Sequence, residues 1–281
     1  LYRLAYAYFE FQKPRESIPL LQKLLDIYQS HTDEDWRRRN RKTLVKAQFL
    51  LAKSYYRKRR YDEALALIQK LLNQDTKHFV ALEFKFYALG KILAALNREE
   101  EALRYLKQAL DPQHPQPYVL DQTGRVYHQL GDYPEALQQY SRALKIRKLP
   151  FIFANRAETY LAIDKIGLAV RDLHQALKRD RKGKHKIYLR LGQINLNGGK
   201  LIEAFHYFQS AIRYKQKVYG ADYAEAHYAL VFYHLQNDQQ DLARREMQTA
   251  LEITPNLEWD TSLREVLGMQ PVDENYSESY F

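Results

Sequence analysis

Small side chains recur in phase along this 281-residue chain, and the recurrence leaves few folds open. One series is Ser17, Ala64, Ala102, Ala136, Ala169, Ala204 and Ala243, at intervals of 47, 38, 34, 33, 35 and 39. A second stands twelve residues earlier at each step, at Ala5, Ala52, Gly90, Gly124, Ala157 and Gly192, with Val231 the exception. Two antiparallel helices cross closely only where neither carries a bulky group, because ridges on one must sit in grooves on the other. Small positions paired in this way predict a helix hairpin, repeated seven times.

The remaining positions agree with hairpins. A third slot, Leu24, Leu71, Ala109, Ala143, Ala176, Ala211 and Ala250, suits the second helix of each pair for packing on the next repeat. Larger residues fill the spaces between, with Tyr8, Tyr55, Tyr127 and Tyr160 on first helices and Leu21, Ile68, Leu106, Tyr140, Leu173, Phe208 and Met247 on second helices. Their spacing is helical and does not alternate as a strand would. At the fourth turn Gly131 can take the left-handed conformation that ends one helix, and Asp132 can cap the next with Glu135 three residues on. Gly198 and Gly199 are expected to do the same in the sixth repeat.

The segment from Thr123 through Gly131, Asp132, Tyr133, Pro134 and Glu135 to Leu144 resembles the tetratricopeptide repeat consensus. The resemblance implies an all-α fold, a right-handed superhelical solenoid of antiparallel helix pairs. It covers residues 1–254, followed by a capping helix over 255–270 and an acidic, disordered tail over 271–281. The cap is expected because Trp259, Leu263, Val266 and Leu267 form one apolar stripe. Within the tail, Asn275-Tyr276-Ser277 fits a glycosylation sequon. Two intervals are long. The interval of 47 places extra residues around Ser30 to Lys42, read as a lengthened second helix or a protruding loop. The interval of 39 contains Gln216 to Asp222 and resembles the longer repeats of kinesin light chains.

Composition narrows the function. No cysteine occurs, which excludes disulfides, thiolate metal sites and cysteine nucleophiles. The longest apolar stretch, Phe84 to Leu96, is broken by Lys85 and Lys91 and falls short of the roughly 20 residues a bilayer requires. There is no phosphate loop, no metalloprotease helix and no nucleophile elbow, so neither an enzyme nor a cofactor is expected. His227 and His234 share a helix face and read as packing residues. A cytoplasmic setting is compatible with all this, and the start at Leu1, inside a helical pattern, reads as a piece of a longer protein.

The net charge of +10 suits an acidic partner. Family resemblance assigns binding to a concave groove lined by repeat positions two, five, six, nine, twelve and thirteen of the first helices. In the early repeats these positions give Phe49, Lys53, Tyr56, Arg57, Tyr87 and Lys91. The middle repeats give Tyr118, Asp121, Arg125, Asn155 and Glu158, and the later ones Lys186, Arg190, Gln193, Tyr228 and Phe232. Aromatics among cations predict a protein or peptide ligand with acidic groups, held by rigid rings and charge-assisted hydrogen bonds. Asn155, Lys186 and Arg190 also fall on three of the five slots of the two-carboxylate clamp that tetratricopeptide domains use on chaperone tails, while Asp121 stands where that clamp has lysine. The less favoured alternative is RNA or single-stranded nucleic acid, gripped by Arg57 to Arg60 and by the run from Lys178 to Lys186.

Overall fold

The computed structural model describes residues 1–269, and every element in that span is an α-helix. The expected tail and its sequon lie outside the described residues. The chain divides into two compact units, Leu1–Lys148 and the part from Leu149 onward.

The first unit holds four hairpins. They are α1 (Tyr2–Glu10) with α2 (Pro14–Ser30), α3 (Glu34–Arg57) with α4 (Tyr61–Gln74), α5 (Leu82–Ala95) with α6 (Glu99–Ala109), and α7 (Pro117–Gln129) with α8 (Tyr133–Ile146). The second holds α9 (Pro150–Ala162) with α10 (Ile166–Arg179), α11 (Lys184–Asn197) with α12 (Leu201–Tyr219), and α13 (Ala224–Gln236) with α14 (Gln240–Ile253). The short α15 (Leu263–Leu267) follows.

Every anchor of the small-residue frame, from Ser17 to Ala243, is fully buried. Ser17 keeps its place among alanines by donating its hydroxyl to the Ala5 carbonyl at 2.9 Å. The closest approach falls one helical turn beyond the anchor. A Cβ on Gly124 would lie 2.8 Å from Cε1 of Tyr140, and one on Gly192 would lie 2.4 Å from Cε1 of Phe208. Glycine is required at these crossings because the partner helix brings a ring there.

The turns repeat as strictly as the crossings. Five residues before each anchor the backbone is left-handed, at Gln12, Arg59, Asn97, Gly131, Asp164, Gly199 and Asp238, with φ between 50° and 80°. Gly131 and Gly199 take it freely, whereas non-glycine residues there carry on the order of 1 kcal/mol of strain. The Asp132 carboxylate caps α8 by accepting from the Glu135 N–H at 3.3 Å, as its sequence predicts. Gly198 stays at negative φ and closes α11 through its N–H to the Ile194 carbonyl.

The long interval of 47 is taken up only in part by the expected longer second helix, and not by a loop. α2 runs 17 residues, but most of the addition extends α3 at its N-terminal end to 24 residues. Asp33 caps it, accepting from the N–H groups of Asp35 and Trp36. Trp36 stacks on His31 with ring centroids 4.0 Å apart, which pins the α2–α3 corner. The interval of 39 lengthens α12 to 19 residues, ended by left-handed Gly220. At the C-terminal end, Leu263 and Leu267 are buried against Val231, Ala243 and Met247, with Trp259 packed on the same cluster from the irregular stretch before α15. Val266 points outward, so the apolar stripe narrows to two residues of a five-residue helix.

Lys85 does not break the apolar stretch so much as disappear into it. Its side chain is fully buried, with Nζ 2.8 Å from Asp75 Oδ2. Asp75 also accepts from the N–H groups of Phe79 and Val80 at 2.9 and 3.0 Å. Burial alone would raise the Asp75 carboxyl, but Lys85 and these N–H groups outweigh it and hold the carboxyl below its ordinary value.

A candidate binding face of aromatics and cations

In the first unit the first helices α1, α3, α5 and α7 bring one side of each repeat to a common cavity of about 340 Å³. Seven of the residues expected from sequence line it: Phe49, Lys53, Tyr56 and Arg57 on α3, Tyr87 and Lys91 on α5, and Tyr118 on α7. Ala52, Ile68 and Ile92 are buried and make an apolar floor. Phe9 and Phe84 complete the walls. Neither is among the residues expected from sequence, although they occupy the twelfth and second positions of the same frame, and applying those positions uniformly to every repeat finds both.

Cations lie on these rings. The Arg57 guanidinium is 3.4 Å from the Phe9 ring centroid and donates to the Phe9 carbonyl, and Lys53 Nζ is 4.7 Å from the same ring. Lys91 Nζ sits 4.6 Å from the Tyr56 centroid and 5.7 Å from that of Tyr87. Tyr87 meets Tyr118 edge to face at 4.8 Å. Such contacts stabilise a cation by about 0.5–2 kcal/mol but leave its charge uncancelled.

Asp121 and Arg125 stand a turn apart on α7, Asp121 buried and Arg125 exposed with its guanidinium 3.4 Å from Gln122 Oε1. Among the described residues none of Lys53, Arg57, Lys91 and Arg125 has a carboxylate oxygen within 4.0 Å. Burial, with Arg125, Lys53 and Arg57 nearby, pushes the Lys91 ammonium down to about 8, against a smaller opposing pull from Asp121. Burial and Arg57 lower Lys53 as well, and burial lowers Arg57, each against a smaller opposing pull from Glu10. Burial raises Tyr56, Tyr87 and Tyr118, which keeps these phenols neutral.

The remaining residues expected from sequence lie in the second unit and are arranged otherwise. Arg190 is clamped by Glu158 through two hydrogen bonds of 2.9 and 2.5 Å, with Gln193 Oε1 3.3 Å away. The last cation of the clamp-like trio is therefore already engaged by a carboxylate of this chain. Lys186 is exposed and Asn155 half-buried. Tyr228 and Phe232 meet edge to face at 5.2 Å, and the Tyr228 hydroxyl accepts from the Asp260 N–H. His234 packs in the core with Nδ1 2.8 Å from Gln239, but His227 does more than pack. Its two ring nitrogens lie 2.6 Å from Glu246 and 3.0 Å from Asp222, and those carboxylates raise its pKa against the opposing effect of burial.

The two basic runs are partly consumed within the fold. Arg60 lies 4.3 Å from the Tyr55 ring and pairs with Glu63, and Arg179 lies 5.3 Å from the Phe153 ring. Among the described residues no cluster of histidine and carboxylate suited to a metal ion occurs, and no helix is long and apolar enough to cross a membrane.

Family models described as tetratricopeptide repeat match residues 1–31, 38–78, 86–111 and 155–217, and one described as TPR repeat matches 124–164. Between them they span about two thirds of the chain. Human tetratricopeptide repeat protein 13 is 26% identical over 171 residues, 60% of this chain. The chain spans about a fifth (19%) of the length of that relative. Similar solved folds include the type IV pilus biogenesis factor PilW, with a TM-score of 0.62 at 18% identity over 80% of this chain and 98% of that one. A tetratricopeptide repeat protein from Parabacteroides merdae gives 0.61 at 15% identity over 95% of both chains. The Cut9–Hcn1 hetero-tetramer of the APC/C gives 0.61 at 13% identity over 91% of this chain and 52% of that one. Seven hairpins in one frame, with family models matching along most of their length, place this chain in the tetratricopeptide repeat family, whose arrays serve as protein-interaction scaffolds.

Proposed function

We propose that this protein is a non-catalytic scaffold that seats an acidic segment of a partner protein on the face formed by α1, α3, α5 and α7. The observation that carries the reading is the set of four cations on that face without a carboxylate in ionic contact. Of the four, Lys53, Arg57 and Arg125 stay exposed to a partner, while Lys91 is half-buried. A charge withdrawn from water without an ionic partner costs stability unless something else compensates it. A carboxylate-bearing peptide does so, and the rings of Phe49, Tyr56, Tyr87 and Tyr118 offer it rigid contact area at little entropic cost. Arg57 rests on the Phe9 ring and donates one N–H to the Phe9 carbonyl, and its remaining N–H groups can serve a partner's oxygen. Similar folds occur in assemblies, the APC/C hetero-tetramer among them, which is in keeping with a partner-holding role.

Binding of an acidic peptide library and of single-stranded RNA, each at two salt concentrations, tests the proposal. The expected result is peptide binding with modest salt dependence, weakened at least tenfold by Lys53→Ala with Arg57→Ala. RNA binding that falls steeply with salt and is abolished by neutralising Arg57 to Arg60, with peptides unaffected, overturns it.

A further inference from the structure

The cavity of the first unit combines two features that seldom share one wall. Its lining is largely apolar, with Phe49, Phe84, Ala88 and Ile92 around it, yet the half-buried Lys91 ammonium stands beside the rings of Tyr56 and Tyr87, with the more exposed Lys53 and Arg57 also in the lining. A neutral apolar ligand would bury Lys91 further and leave its charge uncompensated. A bare anion such as inorganic phosphate would satisfy the charge and leave the rings facing water. We propose that this cavity is a receptor for one anionic group carried on an apolar body of side-chain size, the anion against Lys91 and the body among the rings of Phe49, Tyr56, Phe84 and Tyr87. A terminal carboxylate beside a bulky last side chain and a phosphoryl group on an aromatic ring both have this chemistry. The inference rests on the scaffold reading and specifies what the partner's segment must bring to one point of it.

The geometry predicts a coupling between binding and protonation. The groups facing Lys91 are Lys53, Tyr56 and Arg57 from α3, Tyr87 on its own helix, and Tyr118, Asp121 and Arg125 from α7; α4 contributes only Ile68 to the lining. Three of these are cations and three are phenols held neutral, with Asp121 the one opposing charge. The ammonium, lowered to about 8 by burial and its cationic neighbours, is thus partly deprotonated just above neutral pH. An anion seated beside it favours the charged form, so Lys91 takes up a proton as the ligand binds. Affinity is then constant below the free pKa and falls above it, by about tenfold between pH 7 and pH 9 when the bound pKa lies well above 9.

The test uses the full chain with lysine side chains labelled at Cε, observed by NMR. The probes are N-acetylphenylalanine, phenyl phosphate, N-acetylphenylalanine amide and inorganic phosphate. The expected result is that the first two bind at least tenfold more tightly than the last two and move the Lys91 midpoint from about 8 to above 9. The stronger of the two acids identifies the source of the anion. Lys91→Arg should keep binding and flatten the pH profile, while Lys91→Met should lose at least tenfold at pH 7 with an unchanged fold by circular dichroism. Equal binding of the acid and its amide, or a Lys91 resonance that no probe moves, overturns the proposal. If acidic peptides still bind the first unit in that case, only this inference fails. If they do not bind either, the scaffold reading falls with it.

Discussion

The two units are built on one frame, but the cations on their first helices are partnered differently. In the second, three cations of the first helices are answered by acids of the same chain: Arg156 by Asp172 at 2.7 and 2.9 Å, Arg190 by Glu158, and His227 by Asp222 and Glu246, whereas Lys215 rests on the rings of Tyr219 and Tyr223. In the first, Lys53, Arg57, Lys91 and Arg125 rest on rings or against an amide, without a carboxylate in ionic contact. The buried Lys85–Asp75 pair shows that the first unit can neutralise a lysine when folding requires it. What differs is the face lined by α1, α3, α5 and α7. On the proposed scaffold reading, cations without an acid of their own chain beside apolar walls are what a partner's carboxylates would engage.

The largest expected effect asks whether the shared frame is real. Gly124→Leu should drive a side chain into the Tyr140 ring and cost about 3 kcal/mol or more, and Gly192→Leu should do the same against Phe208. Thermal melting followed by circular dichroism checks both. A loss in one unit alone would mean that the two do not share a packing rule.

The packing frame was legible because sterics dictate it. Small residues at 17, 64, 102, 136, 169, 204 and 243 are all buried, and the left-handed turn five residues before each is set by the length of the connection more than by residue type. Glycine fills only two of those seven turns, so a search for turn residues alone would have missed Arg59 and Gln12. The extension of α3 was not legible. Its first nine residues, from Glu34 to Lys42, are almost all charged, and a charged stretch reads equally as loop or as solvated helix. Nor was the partition of charge. Arg190 meets Glu158 across 32 residues, one repeat away, and only side-chain placement decides that this cation is paired while Lys91 is not. Seven of the sixteen expected face residues share the cavity of the first unit.

A smaller effect sharpens the contrast from the second unit. Asp172 is buried, and Asp172→Ala removes the carboxylate that takes two hydrogen bonds from the Arg156 guanidinium, so stability should drop by about 2–3 kcal/mol in urea titration. A change within error would mean that this pair is replaceable by water, and the second unit would be no more self-satisfied than the first.

The smallest effect has the opposite sign. Lys91→Met removes an uncompensated cation, and at pH 7 it should raise stability by about 1 kcal/mol. The folded pKa of Lys91, about 8, lies below that of the unfolded chain, so between the two the unfolded state holds more protons. The parent protein should therefore gain stability as pH rises through that window, and the advantage of Lys91→Met should fade by about pH 10. Urea titrations at pH 7 and pH 10 check it. A destabilised Lys91→Met at both pH values would show that Lys91 serves the fold.

The most direct test of the whole contrast is to map, by backbone amide NMR on the full chain, which residues respond when an acidic peptide selected for binding is added. The account predicts shifts concentrated at Phe9, Lys53, Tyr56, Tyr87, Lys91 and Tyr118, with little change around the Arg190–Glu158 pair. Shifts centred on Arg190, Gln193 and Tyr228, with the cavity of the first unit silent, would contradict it.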